Sequence, residues 1–196
     1  LNTLQTLLQS QPDEPALQNF FEQDPERLCG SIYLMGSSVI RKLPIGNDYV
    51  SDFVYVNPQS GRTKLHLVEI ESSTKRIFNQ DHSFTAEFNH AMQQVRDWIR
   101  YCSENNQQIR DILEPLRRVN GDQVGFYAPI GTLLYGRREE INCTLREERW
   151  RSLQPQNHEL QVRTYDGHAE SLNASLDSSL SSARCVKYNG REFVQA

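Results

Sequence analysis

The sequence predicts an α/β domain built on a mixed central β-sheet flanked by helices. Three observations carry that reading. Residues 49–71, "YVSDFVYV" and "TKLHLVEIE" around "NPQSGR", read as strand, turn, strand, with Asn57, Pro58, Ser60 and Gly61 supplying turn chemistry. Residues 84–102 repeat apolar side chains every three to four positions, the spacing of one helix face. Helical and strand-like stretches then alternate toward the C-terminus, as they do when helices cover the faces of a sheet.

Taken in order, residues 1–26 read as two short helices broken between Pro12 and Pro15. Leu4, Leu7 and Leu8 share one face, and Leu17, Phe20 and Phe21 another. Asp13 is placed to cap the second helix, and "QDP" at 23–25 ends it. "SIYLMGSSVIRKL" (31–43) is apolar enough for a strand, interrupted at Gly36. In the helix over 84–102, Phe84, Phe88, Ala91, Met92, Val95, Trp98, Ile99 and Cys102 form the apolar stripe. "QQIRDILEPLRR" continues helically until Pro115. Strands are expected at about 123–128 and 132–137, and an amphipathic helix over 139–153. "LQVRTYDGHAESLNASLDSSLSSA" starts as strand and ends as helix, with Leu172, Leu176 and Leu180 four apart. The tail from Arg184 contains a turn and has no assigned place.

Composition bounds what such a domain does. With 196 residues, 37% hydrophobic content and mean hydropathy of −0.65, the chain reads as one polar but foldable domain. Its parts are a helical segment at 1–30, a core at 31–137 and a helix-and-strand extension at 138–196. No apolar run approaches ~18 residues, so no membrane partner is expected. No signal-peptide pattern is present, and a start at Leu1 rather than Met leaves open whether the chain is an excerpt of something longer. Cys29, Cys102, Cys143 and Cys185 lie far apart without a CxxC pair, which argues against zinc and for the reduced thiols of a cytoplasmic protein. The sequons at Asn142 and Asn173 then read as chance matches. The net charge of −4 does not advertise a nucleic-acid binder. The cation pairs Arg41/Lys42, Lys75/Arg76, Arg117/Arg118 and Arg137/Arg138 leave two readings open: a basic rim that holds phosphate, or solvated loops.

The chemistry sits in "HLVEIE" (66–71). In an antiparallel hairpin the start of the first strand lies beside the end of the second. Asp52 is early in one strand, and Glu69 and Glu71 are late in the other. Alternation at period two sends Glu69 and Glu71 to one side. Three carboxylates therefore converge at one end of the sheet, where they bind a cation or share protons. Oxygen-only ligands suit Mg²⁺ or Mn²⁺. The bland alternative is a solvated strand end. The apolar flank of Leu65, Leu67, Val68 and Ile70 weighs against it, since idle charge on a buried strand is costly. His82 and His90 read as structural or exposed, Trp98 as core and Tyr101 as its rim. Glu14 reads as an acid placed by the helix dipole.

"SDFV", the turn, "LHLVEIE" and "AEFNHAMQQVRDW" together resemble the nuclease domain of the Shedu anti-phage defence proteins, a branch of the PD-(D/E)xK phosphodiesterase superfamily. The resemblance is best over residues 13–137. It implies a restriction-endonuclease-like core in which Asp52 matches the motif's Asp and Glu69 its first acid. Glu71 departs from the pattern, standing where a lysine is common, although some restriction endonucleases carry ExE. The lysine's task, holding the attacking water, then falls to Gln94 on the following helix or to Lys75 if the chain turns at Ser72–Ser73. Gln93 replaces Gln94 if the register slips by one, and the resemblance gives Glu14 a second reading, as an additional acidic ligand from the N-terminal helix. The expected ligands are Asp52, Glu69, Glu71 and the Ile70 carbonyl, around Mg²⁺ with Mn²⁺ able to substitute. By the same resemblance the substrate is DNA, phage or plasmid, and the protein is a homo-oligomer, with a tetramer among the options. The rival expectation is a nuclease-like domain that has lost its chemistry and binds nucleic acid or protein. A third is a purely structural oligomerisation domain.

Overall fold

Proline and aspartate punctuate the N-terminus as their chemistry requires. In the computed structural model, which describes residues 3–60, 62–153, 159–173 and 183–196, α1 spans Leu4–Gln9 and α2 spans Glu14–Gln23. The Asp13 carboxylate accepts a hydrogen bond from the Ala16 N–H at 2.9 Å, satisfying one of the helix's free N-terminal donors. A four-residue helix, α3 (Glu26–Cys29), follows. The remaining elements are β1 (Ser38–Ile45), β2 (Tyr49–Asn57), β3 (Thr63–Ile70), α4 (Ala86–Glu104), α5 (Asn106–Asn120), β4 (Tyr127–Leu134), α6 (Thr144–Ser152), β5 (Leu160–Arg163), α7 (Tyr165–Asn173), β6 (Arg184–Tyr188) and β7 (Phe193–Gln195).

The strands form one seven-stranded mixed sheet in the order β5-β4-β3-β2-β1-β6-β7. β1, β2 and β3 pair antiparallel, while β4 joins β3, β5 joins β4 and β6 joins β1 in parallel. Helices cover both faces. On one face Val54, Leu65 and Leu67 pack with Phe88, Val95 and Trp98 of α4 and Leu113 of α5. On the other, Val39, Phe53, Tyr55 and Val68 pack with Leu8 of α1, Leu17 and Phe21 of α2, and Tyr165 and Ala169 of α7. The chain is therefore α/β with a mixed sheet flanked by helices, as its sequence predicts.

Several boundaries differ from expectation, each for a physical reason. The strand expected from residue 31 begins only at Ser38, because Met35–Ser37 forms a 3₁₀ turn with Gly36 at φ 60°. A Cβ on Gly36 would lie 2.6 Å from Leu116 Cδ1, so glycine is required there twice over. α4 begins at Ala86 rather than 84: Thr85 caps it, and Phe84 instead pairs with and stacks on Phe78. α5 runs through Pro115 to Asn120. One backbone bond is lost, but buried Leu113 and Leu116 on either side hold the helix to the core. One strand, β4, replaces the two expected at 123–128 and 132–137. Pro129 pairs with Leu65 before β5 joins at Gly131, so it sits where the strand has a single neighbour. A Cβ on Gly131 would lie 2.3 Å from Val95, so this glycine lets α4 approach the sheet.

The helix expected over 139–153 is shorter. Residues 138–140 form a 3₁₀ turn whose Glu140 carboxylate accepts from the Ile77 and Phe78 N–H groups, and α6 starts at Thr144. It buries no residue fully, although Trp150 packs on the core. The tail forms the β6–β7 hairpin at a sheet edge. The Asn173 sequon's Ser175, the helical reading of Leu176 and Leu180, and turn residue Gly61 lie outside the described residues. No helix is long and apolar enough to cross a membrane among the described residues.

Burial sets an acid limit on this fold. Burial lowers the pKa values of both His66 and His168 to about 4. The unfolded chain protonates them near pH 6.5, so it binds more protons than the native state between those values. Their contribution is complete above about pH 6.5 and is lost as pH falls through 4, on the order of 3 kcal/mol per histidine. Urea denaturation from pH 7 to 4 is expected to show a falling midpoint, with a shallower slope in His66→Gln. Equal slopes for the two proteins would contradict it.

Candidate functional site

Strand register assembles the candidate site. The β2–β3 pairing of Phe53 with Val68 puts Asp52 opposite Glu69 one step on, and the β1–β2 pairing puts Lys42 opposite Asp52. A row of Lys42, Asp52 and Glu69 thus crosses three strands. Lys42 has φ 45°, a left-handed conformation that costs a non-glycine residue ~1–2 kcal/mol. It also shifts the phase of β1: Ile40, Leu43 and Ile45 all reach the same core, which strict alternation forbids.

Each carboxylate has its own partners. Asp52 is buried; one oxygen accepts from the Lys42 ammonium and the other from the Ile70 N–H at 2.8 Å. Glu69, also buried, accepts from the Gln94 amide of α4 at 3.0 Å. Glu71 stands one residue beyond β3, although its N–H still bonds the Leu134 carbonyl. Its carboxylate accepts from Lys75 at 2.5 Å, and its carbonyl from the Tyr165 hydroxyl at 2.6 Å. Lys75 returns because the chain turns after β3. Its N–H bonds the Ser72 carbonyl, and the Ser73 hydroxyl ties the loop to the Pro12 carbonyl at 3.2 Å.

The electrostatics are those of crowded acids. Burial first, then the charges of Asp52 and Glu71, hold the Glu69 carboxyl well above the usual carboxylate range, so it keeps a proton at neutral pH. Glu14, at the start of α2, is also raised, by burial and then by Glu71 and Asp52. Burial alone would lower Lys42 and Lys75, yet both are raised, because their hydrogen bonds to Asp52 and Glu71 together with the charges of the surrounding carboxylates outweigh it.

The structure thus brings together Asp52, Glu69, Glu71, Lys75 and Gln94. Ile70 enters through its N–H, the bond that orients Asp52. Gln93 points away and bonds Asp97, so of the two glutamines it is Gln94 that reaches Glu69. His90 is exposed, and His82 sits in a turn where Nδ1 accepts from Arg146 at 3.1 Å. Three participants go beyond the expected set. Lys42 counted only as one of a cation pair, although a lysine on the strand beside Asp52 was a usable signal. Glu14 has two readings in the sequence, a helix-dipole acid and an additional ligand, and the structure puts it within electrostatic reach of Glu71 and Asp52. Tyr165 had no local signal, being 94 residues from Glu71. Among the other cations, Arg117 and Arg118 bind Glu114, Arg137 binds Asp166 and Arg138 binds Glu170, so they serve as internal ties.

Among the described residues no three His, Cys, Asp or Glu side chains form a ready-made metal cage. The three carboxylates share one end of the sheet but are each neutralised separately, by Lys42, by a proton with Gln94, and by Lys75. Their donor chemistry still suits a hard divalent cation, which would relieve the repulsion that adds to burial in keeping Glu69 protonated.

Tyr165 fixes the end of this arrangement. Tyr165→Phe should lose one buried hydrogen bond, about 1 kcal/mol, because the Glu71 carbonyl is left without its donor. Chemical denaturation measures it, and an unchanged midpoint would show that the bond contributes nothing.

Fold and site define a mixed-sheet α/β protein with a buried acidic–basic cluster at the end of its central strands. The family described as Shedu protein SduA, C-terminal, matches residues 11–167, and the chain belongs to it. That membership supports a part in anti-phage defence. A search of curated proteins returned no match.

Proposed function

We propose that this domain is a Mg²⁺-dependent DNA endonuclease of anti-phage defence with a restriction-endonuclease-like, PD-(D/E)xK core, in which Mn²⁺ can substitute. The observation that carries the reading is the convergence of Asp52, Glu69 and Glu71 with Gln94 and two lysines at the carboxyl end of β3. Asp52, Glu69, Glu71 and the Ile70 carbonyl would hold the ion. When bound, a divalent ion supplies a water of lowered pKa and offsets charge on the phosphoryl oxygens.

The chain's own groups do the rest. The Ile70 N–H fixes the Asp52 carboxylate, and the Gln94 amide fixes Glu69 and can hold a water beside it. Glu69 must give up its proton before it can act as an anionic ligand. Lys42 and Lys75 bring positive charge to a site that a phosphodiester has to enter, where each compensates backbone charge. Lys75 is the lysine nearest the motif position that Glu71 occupies.

The test is incubation of linear and supercoiled DNA with the protein, with and without millimolar Mg²⁺ or Mn²⁺. Metal-dependent cutting by the wild type is expected. One observation favours the rival, a nuclease-like domain that only binds nucleic acid or protein: each carboxylate already has a partner. DNA retention without cutting at any metal concentration would select it. A homo-oligomer, such as a tetramer, and a cytoplasmic location complete the proposal, and sedimentation velocity tests the former.

A further inference from the structure

Behind the carboxylates, on the other face of the sheet, lies a cavity of about 310 Å³. Alternation along β3 produces this arrangement: His66 and Val68 line the cavity, while Leu67 and Glu69 face α4. The volume is at the lower end of the range for small-molecule sites.

Four features of its wall point to a ligand. His168 of α7 lines the cavity and is 3% exposed. Its Nε2 lies 2.9 Å from the Arg27 carbonyl, which can only accept, so Nε2 carries the proton and Nδ1 is a lone-pair acceptor. That Nδ1 has no partner among the described residues, an uncommon state for a buried polar atom. Second, the His66 ring stacks on Tyr55 at 4.4 Å and 12°, giving the wall a flat aromatic pair. Third, Tyr55 is itself a lining side chain and is 7% exposed, so the aromatic pair is held in place by the packing around it. Fourth, Arg163 is the sole formal charge among the lining side chains. Its guanidinium bonds only the neutral Gln161 at 2.9 Å and Ser171 at 3.3 Å, with no carboxylate partner among the described residues.

We infer that this cavity is a binding site for a small planar ring compound that carries an N–H donor and a negative charge. The ring lies along the Tyr55–His66 pair, the donor meets His168 Nδ1, and the anion meets Arg163. A nucleoside monophosphate with an amino-bearing base and an aminoaryl carboxylate share this chemistry. The site is independent of the nuclease reading, since none of its groups belongs to the carboxylate cluster.

Calorimetry and thermal melting of the whole chain in EDTA test it, with AMP, 4-aminobenzoate and benzoate as probes. EDTA removes any metal-dependent binding of phosphate at the carboxylates. At least one of AMP and 4-aminobenzoate is expected to bind below about 1 mM and to raise Tm. AMP alone would identify the phosphate-bearing source, 4-aminobenzoate alone the carboxylate. Benzoate, which lacks the donor, should bind at least about tenfold more weakly, as should either positive probe to Arg163→Gln. Thr132→Ile, which fills the cavity from β4, is the second variant and should abolish binding should Arg163→Gln fail to fold. Neither probe binding below about 1 mM, or binding untouched by both substitutions, would overturn the inference.

Discussion

Asp52→Asn and Glu69→Gln are each expected to abolish metal-dependent DNA cleavage, by about a hundredfold or more, the scale of losing one preorganised electrostatic contact to a transition state. The two should differ in stability. Glu69 is buried against Asp52 and Glu71 and keeps a proton the free acid would shed. A neutral amide there removes the conflict, so Glu69→Gln should be about as stable as the wild type at pH 4 and more stable at pH 9. The sign follows from the raised pKa. The native state binds the extra proton, so its stability falls as pH rises above the unfolded value near 4.5. Asp52→Asn instead weakens the pairing with Lys42, a half-exposed lysine, and should be neutral or slightly destabilising. Cleavage by either variant at wild-type rate would place the chemistry elsewhere, and melting curves at the two pH values read the stability half.

Glu71→Lys is the second large effect. Were Glu71 only standing where a lysine was lost, the substitution would raise cleavage. The geometry argues the other way. Lys75 already occupies that space, bonded to Glu71, and Gln94 is in place at Glu69. A lysine at 71 would set two ammonium groups against one another and beside any bound ion. Two unit charges ~4 Å apart cost ~4 kcal/mol at an effective dielectric of ~20. Discounted heavily for water and rearrangement, Mn²⁺ affinity should still fall by about tenfold or more. Calorimetric titration of Mn²⁺ into both proteins decides it. Equal affinities would remove Glu71 from the ligand set, and faster cleavage by the lysine variant would mark the chain as a weakened relative.

Much of this was legible in the chain because its signals are local. The 3.6-residue stripe of α4, the capping aspartate before α2 and the β2–β3 hairpin each depend on neighbours a few positions apart. The hairpin by itself brings Asp52 beside Glu69, because antiparallel pairing and period-two alternation leave little freedom once the turn is set. The helix end expected at Pro115 and the strand break expected between 128 and 132, where Pro129 lies, fail for the same reason. Local rules end an element at proline, whereas burial of Leu113 and Leu116 in one case and a missing neighbour strand in the other allow it to continue.

The sequence by itself therefore determined the class of fold, the acids at the end of β3 and the helix that faces them. Only the tertiary structure decided how those acids are neutralised. Lys42 reaches Asp52 through a left-handed residue that no spacing rule announces. Lys75 returns because Ser73 is tied to the Pro12 carbonyl, 61 residues away. Tyr165 closes on Glu71 from a helix that packs on the opposite face. Charges buried together must find partners wherever the folded chain supplies them, and that supply depends on contacts between distant segments, which a one-dimensional pattern does not contain.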